Sequence, residues 1–125
     1  MKNLRRRFFL FDKQNISAKI RFGDDFMGEI EVGDYIVEWD DNKAELNWKK
    51  HGISFEKAAE IFLDEFLIDY YDEGHSYDED RIKAIGMVEK VLVVIYTERG
   101  EKYRLISARL ANKREVKTYY GQFSY

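Results

Sequence analysis

A chain of 125 residues with no cysteine has room for one hydrophobic core, but not for two domains, a disulfide framework, a thiolate metal site or a thiol nucleophile. Its 45% hydrophobic and 16% aromatic content excludes a disordered segment, and its net charge of −3 is not the clearly basic balance usual for a nucleic-acid binder. The apolar run Phe8 to Phe11, behind Arg5 to Arg7, is too short for a signal-peptide core or a membrane span, so the expected address is the cytoplasm, with no membrane partner.

In chain order, residues 1–35 read as an N-terminal extension. Within it Lys19 to Phe22 and Met27 to Val32 make short strands around Gly23, Asp24 and Asp25, a hairpin by composition. Gly33 and Asp34 are the nearest candidate for a boundary before the main unit, residues 36–125. Tyr35 to Trp39 alternates into a strand; Asp40 or Asp41 then caps a helix that runs to about His51 and closes at Gly52. Ser54 caps a second helix, whose positions Phe55, Ala58, Ala59, Phe62 and Leu63 form a core-facing stripe. Four strand-like runs follow, Phe66 to Tyr71, Arg81 to Val88, Val91 to Thr97 and Lys102 to Leu110, and they predict an antiparallel meander. Val91 to Ile95 is apolar at every position, which predicts a central strand covered on both faces. Asn112 with Glu115 three residues on predicts a capping box that opens a last helix through Tyr120.

Charge is unevenly distributed along this order. From Ser54 to Asp80 the acids Glu56, Glu60, Asp64, Glu65, Asp69, Asp72, Glu73, Asp78, Glu79 and Asp80 stand against the single base Lys57. From Arg99 to Lys117 the balance reverses, with Arg99, Lys102, Arg104, Arg109, Lys113, Arg114 and Lys117 against Glu101 and Glu115, so a polyanion is steered to that end. No triad, phosphate loop or zinc spacing is present. Metal-free RNA cleavage needs only a base for the 2′-hydroxyl, cations for the phosphate and an acid for the leaving oxygen, roles that Arg, Lys, Tyr, His and Glu can fill.

Each candidate also has a plainer explanation. Arginines commonly pair with surface acids. His51 is placed to complement the dipole at a helix C-terminus, and Glu115 to complete the capping box. Trp48 suits a core or an interface, and Tyr119 and Tyr120 suit packing of the last helix on the sheet. The acidic loop around His75 lacks a regular metal-ligand spacing. If Lys102 to Leu110 is regular, Arg104 shares a face with Ile106 and Ala108, and Arg109 shares the other with Tyr103, Leu105 and Ser107, so the two guanidinium groups point apart.

Several segments together carry a family resemblance. Trp39, Asp40, Lys43, the run Asn47-Trp48-Lys49-Lys50-His51-Gly52-Ile53-Ser54-Phe55-Glu56, Ala58 and Ala59 resemble the opening signature of BrnT-type toxins. Arg81 to Gly86, Val93 to Arg99, and Arg104 to Arg109 with Ala111 and Glu115 resemble the later motifs in the same order. The resemblance implies an α+β, RelE-like fold: two N-terminal helices on a four-stranded or larger antiparallel sheet, a C-terminal helix, and here the added hairpin-like extension. It implies the toxin of a type II toxin–antitoxin system, an endoribonuclease that needs no metal or cofactor. Its partners would be an RNA substrate, a neutralising BrnA-like antitoxin, and operator DNA reached only through that antitoxin, in a homodimer or a heterotetramer with it. The site candidates are Arg109, Arg104, Arg99, His51, Glu115 and Tyr119 for catalysis, with Arg81, Lys83, Lys102, Lys113 and Arg114 as RNA contacts. The alternative is a non-catalytic, toxin-like binding module that acts only through an antitoxin or regulatory partner.

Overall fold

The computed structural model describes residues 18–22, 25–72, 74 and 79–124; Arg5 to Arg7 and His75 lie outside them, as does most of the Gly23–Asp25 turn. Among the described residues seven strands form one sheet: β1 (Ala18–Phe22), β2 (Asp25–Val32), β3 (Tyr35–Asp40), β4 (Ile68–Tyr71), β5 (Ile82–Val88), β6 (Lys90–Arg99) and β7 (Lys102–Leu110). Helix α1 (Asp41–His51) follows β3. A short α2 (Phe55–Ala58) continues as a 3₁₀ segment (Ala59–Leu63), and α3 (Lys113–Gly121) ends the fold.

The strand order is β1-β2-β3-β7-β6-β5-β4. The meander β4 to β7 is antiparallel throughout, but β3 lies parallel to β7, with Ile36 opposite Lys102 and Trp39 opposite Leu105. The wholly antiparallel sheet expected from sequence is therefore corrected to a mixed one. The physical reason is the crossover: α1, α2 and strands β4 to β6 lie between β3 and β7, and a connection of that length can return a strand in either direction. Gly33 and Asp34 turn one strand into the next within this sheet, with Val32 opposite Tyr35 and Gly33 at φ 62°.

Local signals set the helices. The Asp40 carboxylate accepts the N–H groups of Asn42 and Lys43 at 2.7 and 3.2 Å, and Gly52 takes φ 69° while its N–H bonds the Trp48 carbonyl. The second helix departs from expectation: it tightens to three residues per turn after Ala58. That winding turns Ile61 fully inward, against the bare backbone of Gly86, where an added Cβ would sit 2.6 Å from Ile61 Cγ1.

Two layers of side chains result. On the first face, Ile30, Val32, Val37, Trp39, Ala84, Leu92, Val94, Tyr96, Leu105 and Ala108 pack with Phe55, Ala58, Ala59 and Ile61. On the second, Ile85, Val91 and Val93 pack with Tyr119 of α3. The central strand β6 thus feeds both layers, as its unbroken apolar run predicts.

Candidate active site

The second face carries the charged residues, and one irregularity in β7 decides which. Ile95 pairs with Ser107 while the next residue, Tyr96, pairs with Leu105, so Ile106 is an extra residue in β7, a β-bulge. The bulge shifts the alternation by one position. Tyr103, Leu105 and Ala108 all join the first-face core, and Arg104 and Arg109 both project from the second. The expectation that these arginines point apart is overturned, because it assumed a regular strand.

Around Arg109 three elements meet. Its Nη1 and Nη2 donate to Glu115 Oε1 and Oε2 at 2.8 and 2.9 Å, a bidentate pair. Lys83 of β5 brings Nζ to 2.7 Å from Glu115 Oε2, and the Asn112 N–H donates to Oε1 at 2.8 Å. The capping box expected at the start of α3 is present in both directions. Hydrogen bonding from Arg109 holds the Glu115 carboxyl well below the usual range, against the opposing effect of burial and with help from Lys83 and Asn112. The bond to Glu115 raises the pKa of Lys83 and of Arg109, so both stay cationic. Tyr70 of β4, opposite Lys83 in the register and half exposed, holds its ring 5.9 Å from Lys83 Nζ.

Farther along the same face, Arg104 Nε and Nη2 donate to Glu38 Oε2 at 2.9 and 2.8 Å. Lys102 Nζ sits 2.9 Å from Glu29 Oε1, and Arg99 Nη2 is 3.0 Å from Glu79 Oε2. The arginines therefore share a face but do not close on one point: each meets a different carboxylate, and Arg104 and Arg109 are about 15 Å apart along the strand.

The remaining candidates are placed as follows. His51 ends α1, a helix that packs through Ala44 into the first-face core, so it is not grouped with Arg109, Glu115 and Tyr119. Tyr119 is buried and donates its hydroxyl to Asp64 Oδ2 at 2.7 Å; burial pushes its pKa up, and the contact with Asp64 adds to the rise. Lys113 and Arg114 stand exposed on the first turn of α3, and Arg81 lies just ahead of β5. Trp48 is 57% exposed and so is no core residue.

Sequence reasoning passed over Tyr70, Asp64 and Glu38. The cross-strand partnership of Tyr70 with Lys83 follows from register alone, which no local motif encodes. Asp64 accepts from Met87 N and Tyr119 at once, joining residues far apart in the chain. Among the described residues no group of three or more His, Asp or Glu could hold a metal ion, and no helix is long and apolar enough to cross a membrane.

Residues 39–115 match the family model described as the ribonuclease toxin BrnT of type II toxin–antitoxin systems. The chain belongs to the BrnT family. A crystal structure of the BrnT ribonuclease toxin of Brucella abortus is 28% identical, with a TM-score of 0.48 over 60% of this chain and 94% of that one. A comparison with curated proteins gave no match. The BrnT match spans α1, the meander and the cap of α3, and so includes Lys83, Arg104, Arg109 and Glu115; β1, β2 and the first four residues of β3 precede it.

Proposed function

We propose that this chain is a cytoplasmic, metal-independent endoribonuclease of RelE-like kind, the toxin of a type II pair, held inactive by a BrnA-like antitoxin. Its family membership supports this reading, and one geometric observation carries it: Arg109 and Lys83, from different strands, reach within 2.9 Å of a single carboxylate. Two cations that already share one anion are arranged to share a phosphate on their solvent side. Arg109 and Lys83 then offset charge on the scissile phosphate, a contribution of about 3 to 4 kcal/mol to the barrier. Glu115 orients both and is a positioning residue, since a carboxylate held so firmly ionised is a feeble base. Tyr119, committed to Asp64, does not supply protons either; the half-exposed Tyr70 hydroxyl takes that part.

The test pairs expression with chemistry. Producing the chain without its genomic neighbour is expected to arrest growth and fragment RNA, and co-expression of the neighbour to relieve both. Purified protein is expected to cut RNA in excess EDTA, with Arg109→Ala slower by at least about a hundredfold. Equal cleavage by a folded Arg109→Ala variant would remove the assignment. The pairing of Arg99, Lys102, Arg104 and Arg109 with carboxylates favours a second reading, the non-catalytic binding module. In that case expression is harmless and the neighbour still binds tightly.

A further inference from the structure

The hairpin that precedes the family-matched residues supplies carboxylates to cations that lie within them. Glu29 is on β2 and Glu38 on β3, directly opposite each other in the register, and both precede residue 39, where the match begins. Their partners Lys102 and Arg104 are on β7, inside the match. Ile30, Val32, Val37 and Trp39 all face the first-face core, so alternation sends Glu29 and Glu38 to the second face, the one that carries Arg109.

Two like charges directly opposite on paired strands repel. Here the cations of β7 compensate them: Lys102 Nζ sits 2.9 Å from Glu29 and 3.9 Å from Glu38, while Arg104 donates twice to Glu38. Two glutamates that branch from Cβ atoms about 5 Å apart set neighbouring negative charges along the stripe, as successive phosphates of a nucleic-acid backbone do. Lys102 keeps 41% and Arg104 28% of its side chain exposed, so neither cation is sealed away.

We propose that Lys102 and Arg104 form a contact stripe for the backbone of single-stranded RNA, and that Glu29 and Glu38 compete for it from within the chain, an intramolecular stand-in for phosphate that weakens RNA binding. The stripe extends the proposed cleavage site along the same face, and to that extent the inference rests on the nuclease reading. RNA displaces the carboxylates when its own contacts elsewhere on the face are strong enough. The hairpin thereby sets a threshold of affinity below which RNA is not retained.

The experiment measures binding of a short, 2′-O-methylated, uncleavable single-stranded RNA of mixed sequence to the full chain by fluorescence anisotropy over a range of salt. Glu29→Gln/Glu38→Gln is expected to bind at least about tenfold tighter than wild type in low salt, with a log–log salt dependence steeper by about 1.4, the increment for two freed cations on a single strand. The control Glu45→Gln/Glu65→Gln removes two exposed carboxylates elsewhere and is expected to leave that slope unchanged. Adding Lys102→Ala and Arg104→Ala to the first variant is expected to abolish the gain. If the double variant unfolds, Glu29→Gln alone, which removes the nearer of the two carboxylates from Lys102 and leaves Arg104 paired, is expected to show a smaller change of the same sign. Unchanged affinity in a folded Glu29→Gln variant, or an equal gain in the control, overturns the proposal whether or not the protein cleaves RNA. A gain in binding with no cleavage by either protein upholds the stripe and removes the nuclease reading instead.

Discussion

Replacing Glu115 by glutamine keeps the shape of the side chain and removes its charge from the most connected point of the second face. The wild-type carboxylate accepts two bonds from Arg109, one from Lys83 and one from the Asn112 N–H, and is only 5% exposed. Hydrogen bonds to buried charged groups contribute about 1.5 to 3 kcal/mol each, but both cations reach solvent, which lowers each side-chain bond here to about 1 kcal/mol. Glutamine still caps α3 and offers one acceptor oxygen, so the net loss comes to about 2 to 3 kcal/mol. At about 4 °C per kcal/mol for a chain of this size, the melting temperature is expected to fall by roughly 8 to 12 °C, measured by circular dichroism at neutral pH. Cleavage below the melting point is expected to drop far less than for Arg109→Ala, and its pH profile to keep its shape, because the variant loses an orienting group and not a proton acceptor. A melting point within about 2 °C of wild type would refute the stabilising role. Loss of the acid limb of the pH profile would show instead that Glu115 takes the proton.

Acid titration tests the same group with a definite sign. A carboxyl held below its unfolded pKa contributes stability in full above about pH 4.3, and loses it as pH falls from there toward the folded value. The gap in melting temperature between wild type and Glu115→Gln is therefore expected to hold from neutral pH to about 5 and to narrow steadily below 4. Asn47→Ala removes an amide that donates to the Ile53 and Ala108 carbonyls and accepts from the Ala108 N–H, each at 3.0 Å; urea denaturation is expected to show a loss of about 3 kcal/mol with an unchanged m-value. Gly28→Ala places a methyl 2.1 Å from Nε1 of the Trp39 indole, so a loss of 3 kcal/mol or more is expected, with a visible change in tryptophan fluorescence; an unaltered spectrum would mean the ring does not lie against that backbone.

What could be read from the sequence was mostly what a few neighbouring residues decide among themselves. The Asp40 and Ser54 caps, the left-handed Gly52 and the Asn112–Glu115 box each close within four residues, and each stands where residue type alone places it. The two-sided burial of β6 was equally legible, since a run with no polar position has no face to give to water. The parallel pairing of β3 with β7 and the bulge at Ile106 were not, because both are settled by partners far away in the chain. The site shows the same division. Glu115 is found by its spacing from Asn112, whereas the grip of Lys83 on it, the pairing of Arg104 with Glu38 and the tie from Tyr119 to Asp64 depend on register and packing.

Asp64 has one further effect, which concerns how molecules of this protein meet one another. β4 covers β5 only from Ile82 to Ile85, so beyond that point β5 turns amide groups outward at the rim of the sheet. The Asp64 carboxylate occupies the Met87 N–H at 2.8 Å and sets a negative charge where the strand of another molecule would dock. A strand rim plugged by a charged side chain is a poor template for edge-to-edge association, so the residue that ties down Tyr119 also guards the protein against aggregation.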